Sequence, residues 1–419
     1  MRILWFSVTP SLFSEETNQY NGLGWIASLE RIISSRNDIN LGIAFVYNKS
    51  SVSTKITKGN GVTYYPMYIK RTFLDRQKDR FSYKYIDKAT LNACIKVIED
   101  FNPDLIQIFG SEWCFGLLYQ YTQKPIVIHM QGSWPPIRNA QYPPGFSISD
   151  EIIRRLMKPK ALFFYLLSRK LSKEHAQREE KILKNTHFFM GRTRWDYALT
   201  QLYAPNSNYY LCNEALREDF IKNNWRWQPH EKREKILFVT VGGGHYIKGY
   251  DLVLKTAHIL KENSKLNFEW KLLGPTSKDL ANIEKKTGIK SQSVNVFPLG
   301  KKSASDVKDI LLDSDLYIHT SYIDNSPNSI CEAQYLGLPV ITTNVGGIIS
   351  LFDPNYDSNL FIPVNDPYFL AFQITSLISD YNRMKKLSLL NYTLAQDRHA
   401  DENISNQLYS IYTHILNKQ

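Results

Sequence analysis

The stretch from Asp315 to Gly347 constrains this chain more than any other. Leu316 to His319 is a short apolar run that suits a buried strand, and the polar segment Thr320 to Ser326 predicts a loop. Asn328 and Ser329, just after Pro327, favour the start of a helix running to about Leu336. Gly337 stops that helix, Pro339 bars its continuation, and Val340 to Thr342 begins the next strand. Strand, loop, helix, strand is a βαβ unit, so the chain needs a parallel sheet with covered faces. Such a unit leaves the first helical N–H groups, those of Asn328, Ser329 and Ile330, in the crevice at the strand ends, where a phosphate binds. Asp324 in the loop and Glu332 one turn inside the helix flank that point. A phosphate pocket with a carboxylate on each side suits a sugar nucleotide, because a carboxylate accepts from a pair of sugar or ribose hydroxyls.

The run Asp324-Asn-Ser-Pro-Asn-Ser-Ile-Cys-Glu332-Ala, closing on Gly337-Leu-Pro-Val and Gly346-Gly347, resembles the E-x7-E signature of family-4 retaining glycosyltransferases. Asp324 stands where the first Glu is usual, which keeps the carboxylate on a shorter arm. The resemblance implies an α/β chain of the GT-B fold: two Rossmann-like parallel-sheet domains facing a central cleft. It also implies transfer of a sugar, with retention, from a nucleoside-diphosphate sugar to an acceptor hydroxyl, with no cofactor and no bound metal. By that analogy Glu332 serves the ribose and Asp324 the donor sugar.

At 419 residues, with 43% hydrophobic and 13% aromatic residues, two packed cores are the natural expectation. A net charge of +11 implies an acidic partner: nucleic acid, anionic lipid or a phosphorylated substrate. Charge alone does not choose. Joined to the resemblance, it leads us to expect a nucleotide-sugar donor, a lipid-linked saccharide acceptor and peripheral contact with an anionic membrane, and no nucleic acid. Cys94, Cys114, Cys212 and Cys331 are scattered and form no C-x-x-C pair, which argues against a zinc site or a disulfide framework. The opening Met-Arg-Ile-Leu-Trp-Phe-Ser-Val reads as a first strand, being too short in its apolar run for a signal peptide. No run approaches the ~18 apolar residues of a membrane span, so a cytoplasmic protein is expected, peripheral on the inner membrane face.

Residues 1–220 read as the first, acceptor-binding domain. Gly22 and Gly24 precede an amphipathic helix through Trp25, Ile26, Leu29, Ile32 and Ile33, and let the backbone approach a ligand. Gly22-Leu-Gly24-Trp-Ile-Ala27 also satisfies the dinucleotide fingerprint. It comes over ten residues after its strand and lacks the acidic residue expected ~20 positions on, so that reading is rejected. His129-Met-Gln131-Gly132 resembles the place where many family members carry a His-Gly pair; Gln131 takes the usual His position and His129 falls two residues early. Residues 133–148, rich in Pro and aromatics, suit a long functional loop. Ile152 to Lys184 predicts one helix, with cations around the apolar Ala161 to Leu167; a helix packed on its own domain and an interfacial membrane helix fit it equally. Arg192 and Arg194, at a helix start, are candidates to bind a phosphate or carboxylate of the acceptor. With Asn213-Glu-Ala-Leu-Arg217 they look like segments of bacterial surface-polysaccharide (capsule and O-antigen) members of the family. Residues 221–234 are expected to be a linker.

Residues 235–398 read as the second, nucleotide-sugar-binding domain. After a strand come Gly243, Gly244, His245 and Lys248-Gly249, a glycine loop with a lysine whose spacing is not Walker A. The family carries Gly-Arg-x4-Lys-Gly here. Lys248-Gly249 matches, while the Arg position falls on Gly243, so His245 or another segment must supply the missing cation. Lys248 and the helix amides at 328–330 would stabilise the leaving diphosphate. Asp313-Ser-Asp315 is a D-x-D, read as structural because it joins a helix end to a strand. Residues 399–419 are expected to form a helix crossing back to the first domain. A sugar-nucleotide epimerase of the same fold and a non-catalytic sugar- or lipid-binding protein stay open as alternatives.

Overall fold

The computed structural model describes residues 1–13, 24–48, 54–230 and 233–418. Apolar runs set the strands: Arg2–Ser7 (β1), Asn40–Val46 (β2), Ile56–Thr57 (β3), Thr63–Met67 (β4), Leu105–Phe109 (β5), Ile126–His129 (β6), Phe188–Gly191 (β7) and Asn208–Leu211 (β8). They make one sheet in the order β3-β4-β2-β1-β5-β6-β7-β8, parallel throughout except for β3 at its edge. Ile236–Val241 (β9), Phe268–Leu273 (β10), Val296–Pro298 (β11), Leu316–His319 (β12), Val340–Thr343 (β13) and Phe361–Ile362 (β14) make a second sheet. Its order is β11-β10-β9-β12-β13-β14, and every pairing is parallel. In each sheet the strand order reverses beside the first strand, at β1/β5 and at β9/β12. A crevice opens beyond the carboxyl ends of strands at such a switch point.

The helices of the first half are Gly24–Ser34 (α1), Phe73–Asp79 (α2), Lys84–Phe101 (α3), Trp134–Asn139 (α4), Ile148–Arg155 (α5), Pro159–Lys184 (α6), Arg194–Tyr203 (α7) and Glu218–Ile221 (α8). Those of the second are Tyr250–Asn263 (α9), Ser277–Thr287 (α10), Ala304–Asp313 (α11), Asn328–Leu336 (α12), Pro367–Ile378 (α13), Tyr381–Arg398 (α14) and Asp401–Asn417 (α15). They cover both faces of the sheets, which is why β1 and β12 are buried along almost their whole length. The last helix, α15, lies on the first sheet: Leu408, Ile411 and Tyr412 pack with Ile3 and Trp5, and the Trp5 indole donates to Tyr412 Oη at 3.1 Å.

Three expectations need correction. Residues 152–184 are two helices, because Pro159 cannot continue α5 and instead opens α6. The segment 133–148 holds α4, started by the proline pair at its first turn. The segment 221–234 is no loose tether at Trp227, which is 1% exposed, packs in the second core, takes Leu336 O with its N–H (2.7 Å) and Ser314 O with its indole (2.7 Å). Asp313 and Asp315 sit before β12, at the end of the strand away from the crevice. Asp315 Oδ2 accepts from Leu237 N (2.8 Å) and Asp313 pairs with Arg233 (2.8 Å).

Candidate active site

The chain after β9 passes through Gly242–Gly244, makes one tight turn over Tyr246–Lys248 and enters α9 at Gly249. Gly249 has φ +70°, and a Cβ there would lie 1.9 Å from Thr320 O, so only glycine permits this approach. The approach is fastened by Thr320 Oγ1 donating to Lys248 O (2.9 Å) and Tyr322 N donating to Ile247 O (2.7 Å). It delivers Lys248 Nζ to Asp324 Oδ2 at 2.6 Å. His319 Nε2 lies 3.3 Å from the same oxygen and Ser321 Oγ donates to it at 3.3 Å. Burial opposes ionisation of Asp324, but the Lys248 ammonium and His319 overcome it and hold the carboxyl well below its ordinary range. Burial pushes His319 below its ordinary value against the pull of Asp324.

Behind this loop, Gly346 meets Asp324 so closely that a Cβ would lie 1.8 Å from Asp324 O. Gly347 N donates to that oxygen at 3.1 Å. The glycine pair of the sequence motif is therefore the floor on which Asp324 rests.

Helix α12 begins where the sequence places it, but its first turn is not wholly open. Ile330 is buried and its N–H closes on Pro327 O at 3.0 Å, which corrects the expectation that it faces a ligand. Asn328 and Ser329 line the cavity, and Ser329 Oγ accepts from Tyr317 Oη at 2.7 Å. Glu332 also lines it, although only 2% exposed. Its carboxylate is gripped by Arg217, Nε to Oε1 at 2.7 Å and Nη2 to Oε2 at 2.8 Å. Burial pushes the Glu332 carboxyl above its ordinary value, and the Arg217 fork pushes back.

The cavity, about 730 Å³, lies between the two sheets. Its cations are Lys248, Arg217 and Lys302, its carboxylates Asp324 and Glu332. Arg217, which the sequence marked only as the end of the Asn213–Arg217 segment, and Lys302, which it did not mark, add cations to a cavity whose glycine loop has none at Gly243. His245 is exposed and Gly244 does not line the cavity, whereas Gly243 does. From the first sheet, Gly24, Trp25 and Gln131 line it. Gly22 lies outside the described residues. His129 is wholly buried between Trp25 and Phe109, and burial, with Arg192 nearby, pushes it down to about 3. Gln131, not His129, therefore reaches the cavity.

Arg192 and Arg194 do not line it. Arg192 is 7% exposed, stacks over Trp25 and faces Glu214 Oε2 at 3.6 Å; Arg194 is exposed and fixes Ser350 through its backbone N–H (3.0 Å). Among the described residues, Glu214, Cys331 and His399 bring possible metal-ligand atoms within 4.8 Å of one another. The set does not suit a cation: the Cys331 thiol donates to Glu214 Oε1 (2.8 Å) and the Arg192 guanidinium already faces the other oxygen. Burial pushes that thiol well up, so it stays protonated.

Residues 221–389 match the family model described as "Glycosyl transferases group 1". Among curated proteins, the chain is 28% identical over 163 residues to the phosphatidylinositol N-acetylglucosaminyltransferase gpi3 subunit of Schizosaccharomyces pombe. It is 38% identical over 76 residues to the putative teichuronic acid biosynthesis glycosyltransferase TuaC of Bacillus subtilis. The matched stretches cover 38% and 18% of this chain and 34% and 19% of those proteins. Among solved structures, the sucrose-phosphate synthase of Thermosynechococcus elongatus superposes with a TM-score of 0.73 at 15% identity, over 100% of both chains. HepE of Anabaena, solved with UDP and glucose, gives 0.65 at 12% identity, over 98% of this chain and 99% of that one. The fold is GT-B, two parallel-sheet α/β domains.

Proposed function

We propose, from the group 1 match and the GT-B fold, that this protein is a retaining glycosyltransferase. It moves a sugar from a nucleoside-diphosphate donor to a saccharide acceptor, lipid-linked, in bacterial surface-polysaccharide synthesis. The observation that carries the reading is Lys248, held by the Gly249 turn, facing the start of α12 across a cavity between two sheets. A departing diphosphate needs its growing charge met by donors already in place, and Lys248, with the Asn328 and Ser329 amides, offers them. Lys248 then exchanges its partner, from Asp324 to phosphate. At rest Lys248 and His319 keep Asp324 ionised, and as a carboxylate it accepts hydrogen bonds from donor-sugar hydroxyls. Glu332 keeps lone pairs beyond those used by Arg217 for a ribose hydroxyl pair. With no side chain among the described residues placed as a nucleophile, transfer runs on the front face within one ion pair, the leaving phosphate taking the acceptor's proton.

The relatives support the finer parts. HepE was solved with UDP and glucose, and the two curated proteins carry teichuronic acid biosynthesis and phosphatidylinositol in their names. The α5–α6 face presents Leu156 (63% exposed), Met157 (90%) and Phe164 (58%) beside the exposed Lys158, Lys160, Lys170 and Lys173. That is the chemistry of an interfacial surface for anionic lipid. The test is incubation with a panel of UDP- and GDP-sugars. Slow hydrolysis of one donor, with retained anomeric configuration, is expected. Epimerised sugar nucleotide, or turnover of none, overturns the reading.

A further inference from the structure

The loop that carries Asp324 is bound to the first sheet by the very next side chain. Asn325 is 6% exposed, and both its functional ends cross between the sheets. Its Nδ2 donates to Gln131 O at 2.9 Å and to Asp196 Oδ1 at 2.6 Å, while its Oδ1 accepts from Thr193 Oγ1 at 2.7 Å. These partners are themselves held. Asp196 Oδ2 accepts from Arg192 N (2.9 Å), Asp196 N donates to Thr193 Oγ1 (3.1 Å), and Tyr209 Oη donates to Thr193 O (3.1 Å). Space for the bridge is made by Gly347, where a Cβ would lie 2.6 Å from Thr193 Oγ1 and 2.7 Å from Asn325 Oδ1.

One peptide unit thus separates the carboxylate paired with Lys248 from the amide that holds the backbone of Gln131. Gln131 lines the cavity from the first sheet's side, as do Thr9 and Ser11. A diphosphate arriving at Lys248 competes with Asp324 for the ammonium, so the 324–325 peptide must respond. The floor of Gly346 and Gly347 prevents it from yielding backward. We propose that Asn325 is a positioning residue that carries donor binding on the second sheet to the acceptor side of the first, by setting the Gln131 backbone against Asp324.

This inference rests on the donor reading above, and its test separates the two. Amide hydrogen exchange is followed on the full chain, with and without UDP or GDP. In the natural protein, nucleotide is expected to protect residues 324–332 and also residues 129–134. In Asn325→Ala, protection at 324–332 should persist while that at 129–134 is lost. Asn325→Asp keeps the size and the acceptor for Thr193 but removes both N–H donors, so it should lose the same coupling even if the alanine variant folds poorly. In activity, both variants should keep donor hydrolysis within about threefold, while transfer to saccharide falls about a hundredfold, the scale of a 1 Å misplacement. A residue that merely stabilised the fold would lower both rates together. Coupling that survives in either folded variant, or that is absent from the natural protein, overturns the inference while leaving the donor reading intact. Absence of nucleotide protection at 324–332 in the natural protein overturns both.

Discussion

Two charges in the cavity look alike in sequence and behave differently in the fold. Lys248 is partly exposed and its partner is exchangeable, so Lys248→Ala should cost ~2–4 kcal/mol of transition-state stabilisation. Steady-state kinetics checks this: the loss belongs in kcat, and a change in KM alone would reduce Lys248 to a ground-state contact. Glu332 is buried and doubly bonded to Arg217. From the sequence it reads as a contact to the donor's ribose. In the structure it is also half of a largely covered ion pair, so Glu332→Ala should lower stability as well as activity. Glu332→Gln, which keeps one hydrogen bond to Arg217, should retain the fold and lose transfer; denaturant unfolding beside activity measures both. The motif was legible because its carboxylates lie eight residues apart on one loop and helix. Arg217 was not, since its partner is 115 positions away and only the tertiary fold brings them together.

At the scale of elements, the limits of α12 could be read from Pro327 and Gly337 because both act locally. The break between α5 and α6 was equally local, but the surrounding helical pattern hid the stop at Pro159. The break changes the membrane test. Arg154 and Arg155 are engaged by Glu151, which leaves the exposed Lys158 and Lys160, next in the chain to Leu156 and Met157, as the cations to test. Each basic residue near an anionic surface contributes about 1 kcal/mol, which salt weakens. The natural protein should float with anionic liposomes at low salt, and Lys158→Gln with Lys160→Gln should reduce flotation severalfold. Equal flotation of the two would leave α5 and α6 as ordinary packed helices. A second element, the Asp313-Ser-Asp315 junction, lies at the wrong end of β12 to meet a diphosphate, and its carboxylates are engaged by Arg233 and Leu237 N. Activity should therefore survive EDTA; complete loss restored by Mn²⁺ would return those aspartates to the site.

Across the whole molecule, five buried or half-buried groups that titrate between about pH 3 and 7 lie in the first half or at its contacts with the second. Burial first of all pushes His129 down to about 3 and His175 and His399 to about 4 from 6.5. Each stays neutral in the fold while the unfolded chain takes up a proton below pH 6.5, so each contributes stability that is lost as pH falls towards 4. Two carboxyls act in the opposite sense. Burial pushes Glu179 up to about 7 from 4.5 and Asp196 to about 6 from 3.8, so their contribution is present at low pH and fades as pH rises. Between about pH 4.5 and 6 the unfolded chain binds three more protons at the histidines and the folded chain two more at the acids. Among these five groups the histidines outnumber the acids, so together they make stability rise with pH. Thermal unfolding across that window should show Tm climbing towards neutrality. Glu179→Gln removes an opposing acid and should steepen the climb, whereas His399→Gln removes one histidine and should leave Tm nearly flat. A flat profile in the natural protein, or an unchanged slope in both variants, would mean that these buried groups titrate together in the folded and unfolded chain.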